Sequence, residues 1–186
     1  MTKFNITDLP LAGLKRVQRQ PICDQRGSLT RIFCTEALAA AGWTKPIAQI
    51  NHTCTKLQGT VRGLHYQRPP CAEMKLVSCL RGEIWDIAVD VRQGSPTFLQ
   101  WYAERLSADN FNALLIPEGF AHGFQALTDD VEIMYCTSAL YAPDFEQGLH
   151  PQDPALSITW PLPLSVLSER DTKHPFIGSH FVGLAI

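Results

Sequence analysis

The chain of 186 residues is long enough to bury a substantial core, and its length is that of a single domain, which we expect to span residues 1–186. Hydrophobic residues make up 45% and charged residues 18% of it, a balance typical of globular proteins rather than disordered ones. The net charge of −2 argues against non-specific nucleic-acid binding, which needs a basic surface, but allows a local basic pocket for a small phosphorylated ligand.

The N-terminal residues and the cysteines together predict a cytoplasmic protein. Residues 1–8 lack the apolar centre of a signal peptide, and no apolar run is long enough to cross a bilayer. The six cysteines form no C-x-x-C pair, which predicts reduced and mostly buried thiols. Cys71 and Cys136 are the two for which a catalytic thiol is the alternative to an ordinary buried cysteine.

Most of the predicted elements are short strands. Residues 13–33 are strand-like and turn at residues 24–27, where Asp-Gln-Arg-Gly interrupts the apolar pattern. An alanine-rich helix is predicted over residues 35–41, with Thr35 as its cap and Gly42 as its end. Further strands are predicted over residues 47–55, 61–67, 75–80, 83–91, 98–106, 113–116 and 131–137.

Turns and prolines complete the pattern. Arg81-Gly82 is predicted to be a hairpin turn between two apolar strands, and residues 117–124 to be a turn that leads into another strand. The proline-rich C-terminal third is predicted to wrap around the strands, with a short helix near residues 167–173. Many short strands separated by Gly, Pro and Asp turns predict an all-β sandwich or jelly-roll barrel with short peripheral helices. No G-x-G-x-x-G motif opens a helix, so a dinucleotide site is unsupported.

Residues 62–75 combine three side chains that suit proton abstraction next to a carbonyl. Arg62 is a cation, His65 carries an imidazole, the side chain most easily poised to move a proton near neutral pH, and Lys75 is an amine flanked by apolar residues. A nearby cation can hold the negative charge that forms when a proton leaves carbon. For His65 alone a structural role is the default, and for Lys75 the alternative is an exposed position on its strand. If both face inward from adjacent strands, they share one pocket.

His122 lies in a P-x-G-x-x-H pattern that resembles the second motif of the cupin superfamily, in which this histidine often binds a metal. The first cupin motif requires H-x-H, but this chain has Gln67 where the second histidine is expected, and Glu73 lies too far along. A metal site requires at least three converging ligands. The sequence therefore predicts a cupin-like jelly-roll barrel that binds no metal.

Three further residues each have a structural and a chemical interpretation. A buried Tyr135 or Tyr141 packs its ring and bonds its hydroxyl, whereas in a pocket the same hydroxyl can act as an acid. Asp171 is by default a surface or capping carboxylate, and alternatively it orients His65 and stabilises the imidazolium that forms.

The motifs together resemble the dTDP-4-dehydrorhamnose 3,5-epimerase family, a branch of the cupins. The most specific block is IPEGFAHGF at residues 116–124. The other matching blocks are residues 62–67, 75–77, 81–92, 94–97, 106–108, 135–143, 153–156 and 167–171. They follow the family's spacing over almost the whole chain.

This resemblance implies a cofactor-free epimerase of a nucleotide-linked 4-keto-6-deoxyhexose, of the kind that supplies dTDP-rhamnose for polysaccharide synthesis. It implies that His65 is the base and that Asp171 is its partner. It also implies that Lys75 stabilises the enolate oxygen and that Tyr135 returns a proton to the opposite face, which inverts the carbon centre.

The implied substrate contacts come from further residues. They are Arg26, Gln49, Asn51, Arg62, His122 and Tyr141. Arg62 is assigned to the diphosphate, because the planar fork of an arginine fits phosphate oxygens. The resemblance further implies a homodimer in which N-terminal strands cross between subunits, so that Arg26 reaches the partner's nucleotide, and it implies no nucleic-acid or membrane partner.

The chain departs from the family mainly where the nucleotide base is held. The family commonly has Arg-Gly-Phe-Phe-x-Glu, whereas residues 26–31 are RGSLTR, so an aromatic residue and a carboxylate are missing. Cys136, Leu115 and His150-Pro151 also replace a lysine, an aromatic residue and Arg-Trp that are common in the family. These departures lead to the hypothesis that the enzyme prefers a nucleotide other than dTDP.

Three alternatives to a double epimerase stay open from the sequence. A metal-dependent cupin is disfavoured by the absent H-x-H motif. A non-catalytic sugar-binding cupin is disfavoured because it has no need of His65, Lys75, Tyr135 and Asp171 together. A monofunctional C3 or C5 epimerase is not distinguished from a double one, because one base can serve both centres after a ring flip.

Overall fold

The computed structural model describes residues 4–186, which form thirteen strands and two short helices. The strands are β1 (Phe4–Asp8), β2 (Lys15–Arg19), β3 (Ile22–Asp24), β4 (Gly27–Leu29), β5 (Gln49–Thr55), β6 (Val61–Gln67), β7 (Lys75–Arg81), β8 (Glu83–Asp90), β9 (Trp101–Ser107), β10 (Asn112–Ile116), β11 (Phe120–Ala126), β12 (Val131–Thr137) and β13 (Glu146–Gly148). The helices are α1 (Thr35–Ala39) and α2 (Glu169–Thr172). Among these described elements, no helix is long and apolar enough to span a membrane.

Two antiparallel sheets form the walls of the barrel. One has six strands in the order β1-β2-β10-β7-β12-β5, and the other has five in the order β13-β6-β11-β8-β9. Apolar side chains from both sheets pack together between them, among them Val77 and Ile133 from the first and Ala88 and Phe124 from the second. This arrangement confirms the prediction of an all-β, cupin-like jelly-roll barrel with short peripheral helices.

Both sheets are also covered on their outer faces. Leu38 of α1 and the following Trp43 pack on the six-stranded sheet. Leu149, Leu156 and other C-terminal residues pack on the five-stranded sheet, as the wrapping prediction required. This C-terminal cover brings α2 against β6, where the site described below is found.

The predicted hairpin at Arg81-Gly82 is wrong. β7 and β8 do not pair with each other, because β7 belongs to the six-stranded sheet and β8 to the five-stranded one. The chain turns at Gly82, whose φ of 72° lies in the left-handed region that glycine adopts readily, and crosses the barrel instead. Both strands are apolar because each packs into the same core from opposite sides.

Several finer predictions also differ from the structure. The N-cap of α1 is Cys34, without a side-chain hydrogen bond, so Thr35 is the first helical residue rather than the cap. Residues 120–124 belong to β11 rather than to a turn. All six cysteines are free thiols in the structure, but only Cys79 and Cys136 are buried, so the expectation of mostly buried thiols is wrong.

The turn predicted at residues 24–27 is present, and it joins β3 and β4 in a small hairpin. This hairpin pairs with neither large sheet, and all six of its strand residues are exposed. Leu29 at its end is 70% exposed. An apolar side chain of this exposure on a hairpin that pairs with neither large sheet is typical of a surface that contacts another protein.

Candidate active site

A cleft between the two sheets contains every predicted site residue except Arg26. It has two adjoining lobes of about 460 and 370 Å³, which share His65, Lys75, Tyr135 and Arg170 in their walls. Arg62, His122 and Asp171 line the first lobe. The second lobe is lined by the remaining predicted residues, Gln49, Asn51 and Tyr141.

His65 and Asp171 form a close pair on one wall. Nε2 of His65 lies 2.7 Å from Oδ1 of Asp171, whose side chain is 3% exposed. Burial raises the pKa of Asp171, but the hydrogen bond and positive charge of His65, together with the backbone N–H of Gly63, outweigh it and lower that pKa below its usual range. Asp171 therefore stays ionised at neutral pH, where it orients the imidazole and stabilises its charged form.

Local sequence explains how this pair is held. The single turn of α2 begins after Ser168, whose hydroxyl accepts a hydrogen bond from the backbone N–H of Asp171 at 3.1 Å. Gly63 on β6 has a φ of 124°, and a Cβ there would lie 2.5 Å from Cα of Gly123 on β11. The absence of a side chain lets β6 and β11 approach closely, and His65 stands directly opposite His122 in their register.

The opposite wall carries the amine and the phenol. Lys75 at the start of β7 is buried, and its Nζ lies 3.0 Å from Oε1 of Glu73. Tyr135 lies on the neighbouring strand β12. Burial, and secondarily the negative charge of Glu73, raises the pKa of Tyr135, so the phenol keeps its proton at neutral pH and can donate it.

A second histidine–carboxylate pair lies deeper in the cleft. Nε2 of His122 lies 2.8 Å from Oδ1 of Asp86, which is fully buried. Burial raises the pKa of Asp86, and the positive charges of His122 and Lys75 oppose that rise. Asp86 holds the His122 ring, which lines the first lobe.

Two arginines give the cleft its positive charge. Arg62 is anchored to β5, with Nε 3.0 Å from Oγ1 of Thr55, to which it donates a hydrogen bond. Arg170 lies beside the pair of His65 and Asp171, with Nη2 3.0 Å from Nε2 of His65. These cations suit a ligand that carries phosphate.

Sequence reasoning missed Arg170, Glu146, Glu73 and Asp86. Arg170 donates to Oε2 of Glu146 at 2.8 Å, and the hydroxyl of Tyr141 donates to the same oxygen at 2.8 Å. Arg170 could have been suspected, because it precedes Asp171 in one helical turn. Nothing in the spacing of the other three indicated which side chains they would meet.

One prediction and one alternative from the sequence are not supported within the chain. Arg26 is 90% exposed, pairs with Asp24 at 2.5 Å and lies on the β3–β4 hairpin, outside the cleft. Neither Cys71 nor Cys136 lines the cleft, and burial raises the pKa of Cys136, which disfavours the thiolate that a nucleophile needs.

The cleft therefore places an imidazole with its carboxylate on one sheet and a phenol with a buried amine on the facing sheet. Such an arrangement can take a proton from one face of a carbon centre and return one to the other face. The buried ammonium and the two arginines can hold the charge of an enolate and of a phosphate.

Comparison with known proteins gives the same picture. A family model described as dTDP-4-dehydrorhamnose 3,5-epimerase matches residues 8–178. A dTDP-4-dehydrorhamnose 3,5-epimerase from Sinorhizobium fredii is 40% identical over 168 residues, covering 90% of this chain and 86% of that protein.

Solved structures agree with this assignment. A dTDP-6-deoxy-D-glucose-3,5-epimerase from Legionella pneumophila, in complex with dTDP-4-keto-L-rhamnose, superposes with a TM-score of 0.91 at 35% identity and covers 98% of this chain and 99% of that one. A 3′-monoepimerase from Streptomyces bikiniensis, in complex with dTDP-quinovose, gives a TM-score of 0.84 at 34% identity over 90% of this chain and 85% of that one. The chain belongs to the dTDP-4-dehydrorhamnose 3,5-epimerase family, whose members are isomerases.

Proposed function

We propose that this chain epimerises a nucleotide-linked 4-keto-6-deoxyhexose at C3 and C5, converting dTDP-4-dehydro-6-deoxyglucose towards dTDP-4-dehydrorhamnose. The observation that carries the proposal is the His65–Asp171 pair on one sheet, facing Tyr135 and Lys75 on the other. The dTDP-sugars bound to the solved relatives support the substrate class.

In the proposed reaction, the C4 ketone acidifies the hydrogens on C3 and C5. His65 removes one of them through the ring nitrogen that does not face Asp171, and Asp171 stabilises the imidazolium. The electron pair of the C–H bond moves to form an enolate, whose oxygen the ammonium of Lys75 stabilises. Tyr135 then gives its proton to the opposite face of the same carbon, which inverts the centre. The C4 ketone itself acidifies the hydrogens on the two neighbouring carbons, so the proposed reaction needs no cofactor.

Binding is assigned to the remaining residues of the cleft. Arg62 and Arg170 are proposed to hold the diphosphate. His122, Tyr141, Gln49 and Asn51 are proposed to contact the sugar, because they line the two lobes around the catalytic pair.

The test is proton NMR of dTDP-4-keto-6-deoxyglucose with the protein in deuterated buffer. The proposal predicts that deuterium enters at both C3 and C5. Deuterium at one centre only would identify a monofunctional enzyme, as the 3′-monoepimerase from Streptomyces bikiniensis is named. Absence of exchange with dTDP-, UDP-, CDP- and GDP-linked sugars, for a folded protein, would overturn the epimerase proposal.

We also propose that the chain acts as one domain over residues 1–186 and forms a cytoplasmic homodimer. The six free thiols support a reducing compartment. The exposed β3–β4 hairpin, with Leu29 and Ile22 on its surface, supports a subunit contact that would carry Arg26 to the partner's cleft.

Light scattering after gel filtration tests the dimer. We expect twice the chain mass for the wild type, and an increased KM for Arg26→Ala with its mass unchanged. A wild-type monomer would contradict the dimer, and an unchanged KM in the variant would contradict the role of Arg26.

A further inference from the structure

Beside the catalytic pair lies a third potential ligand that the proposed reaction does not use. One ligand atom each from His65, Asp171 and His174 lie within 4.8 Å of one another. Nε2 of His174 is buried and has no hydrogen-bond partner among the described residues. A buried ring nitrogen without a partner is costly unless something else occupies it, so this nitrogen indicates a ligand.

We propose that His65, Asp171 and His174 bind a divalent cation of intermediate hardness, such as Zn²⁺. We propose further that this binding inhibits the enzyme. Two imidazoles and one carboxylate are a donor set that Zn²⁺ accepts, with a water molecule as the fourth ligand. The ion uses a lone pair of His65 that the base needs, so it is an inhibitor and not a cofactor. The inhibition rests on the proposed epimerase function, whereas the binding does not.

The geometry requires only small movements. A tetrahedral Zn²⁺ with bonds of about 2.1 Å sets its ligand atoms roughly 3.4 Å apart. The pair of His65 and Asp171, now 2.7 Å apart, opens slightly, and His174 moves towards it, since the rings of His65 and His174 are 6.0 Å apart at their centroids. All three residues lie on the C-terminal cover or on the strand beneath it, within one locality of the fold.

The charges around the cluster are mixed. Arg170 opposes a cation, because its Nη2 lies 3.0 Å from Nε2 of His65. Its side chain is 52% exposed, so it can move towards solvent. Asp171 supplies the negative charge that the ion neutralises directly.

Direct binding is measured on the metal-free wild type without substrate, by calorimetric titration with Zn²⁺ and by the visible absorption of Co²⁺ as a substitute ion. We expect one ion per chain. His174→Ala should weaken binding at least about tenfold, whereas His180→Ala, an exposed histidine of the same C-terminal segment, should not change it. A wild type that binds no ion, or a His174→Ala variant that binds as tightly as the wild type, would overturn the proposal.

A second variant removes the geometry but keeps the imidazole. A Cβ at residue 148 would lie 2.1 Å from Nε2 of His174, so Gly148→Ala must displace that ring. This variant should also weaken Zn²⁺ binding at least about tenfold. Unchanged binding would contradict the assignment of His174.

Inhibition is tested by measuring turnover with and without Zn²⁺. The rate of each variant is compared with the rate of the same variant without metal. Zn²⁺ should inhibit the wild type and His180→Ala at the concentration that saturates binding, and His174→Ala should need at least about tenfold more. Bound Zn²⁺ without inhibition would overturn the inhibitory role. A metal-free enzyme that turns over none of the nucleotide sugars would count against the epimerase function and leave the binding result standing.

Discussion

Three side chains of the proposed site are each held by a carboxylate that is itself buried or nearly so. His65 is paired with Asp171, His122 with Asp86 and Lys75 with Glu73. Such partners fix the rotamer and the protonation state of the group that meets the substrate, which is what a positioned acid or base requires. The site is therefore preorganised in this chain before any ligand is bound.

The partnership of His65 and Asp171 makes a prediction for Asp171→Asn. The amide cannot stabilise the imidazolium, so turnover should fall by about 10²–10⁴-fold while the fold is kept. Steady-state rates measure the loss, and circular dichroism checks the fold. Activity within a few-fold of the wild type would contradict the role of Asp171.

The lowered pKa of Asp171 also predicts how the stability difference between the wild type and Asp171→Asn changes at acid pH. Because the pKa of Asp171 is lowered in the folded state, its ionised form stabilises the protein above the unfolded pKa of about 3.9, and this contribution is lost as the pH falls through the folded value. The difference in unfolding free energy between wild type and Asp171→Asn should be constant near neutral pH and shrink below about pH 4. Urea titrations across pH 3–7 measure it, and a constant difference down to pH 3 would contradict the lowered pKa.

At the scale of elements, the close approach of β6 and β11 sets the position of His65. Gly63 makes that approach possible, because its Cβ would meet the backbone of Gly123 and its φ is positive. The register shift between His122 and Phe124 lies at the same point of the strand pair. Strand separation, backbone conformation and the location of His65 are thus linked through one residue.

Gly63→Ala should therefore be strongly destabilising. The left-handed backbone alone costs about 1–3 kcal/mol, and the contact with β11 adds to it. Gly178→Ala is the matched control, since a Cβ there meets nothing within 4 Å and its φ is not in the left-handed region. Denaturant unfolding of both variants measures the difference, and equal stabilities would contradict the close approach.

The elements also show what sequence patterns can predict. Alternation and turn residues located β6 to the residue and β12 likewise, because a strand's own side chains determine its existence. They did not determine its partner, so β7 and β8 were wrongly joined as a hairpin. The family motifs supplied His65, Lys75, Tyr135 and Asp171, whereas Glu146 and Asp86 were missed because their contacts lie 24 and 36 residues away in sequence.

At the scale of the whole molecule, the position of the β3–β4 hairpin outside the barrel bears on nucleotide choice. The family resemblance assigns binding of the nucleotide base to the positions of Leu29 and Arg31, and both residues are exposed in this chain. No aromatic ring stands there to stack on a base, and one such contact is worth about 1–3 kcal/mol. The sequence-based hypothesis of a preference for a nucleotide other than dTDP depends on this loss.

The hypothesis predicts a higher kcat/KM for a UDP-, CDP- or GDP-linked 4-keto-6-deoxyhexose than for the dTDP-linked one. Leu29→Phe should raise kcat/KM for each nucleotide sugar by roughly tenfold, since it restores a ring on which any of their bases can stack. Competition assays with pairs of nucleotide sugars measure the ratio. Equal or better turnover of the dTDP-sugar by the wild type would contradict the hypothesis.

The central claim is that His65 acts as the base from one sheet and Tyr135 acts as the acid from the facing sheet. The most direct test is proton NMR in deuterated buffer with Tyr135→Phe beside the wild type and His65→Asn. Loss of the phenol in Tyr135→Phe should leave deuterium exchange at C3 and C5 measurable, while inversion of these centres falls by about 10²-fold or more. Loss of the imidazole in His65→Asn should abolish both exchange and inversion. If Tyr135→Phe lost exchange and inversion to the same extent, or inverted the centre like the wild type, the division of labour between the two walls would be contradicted.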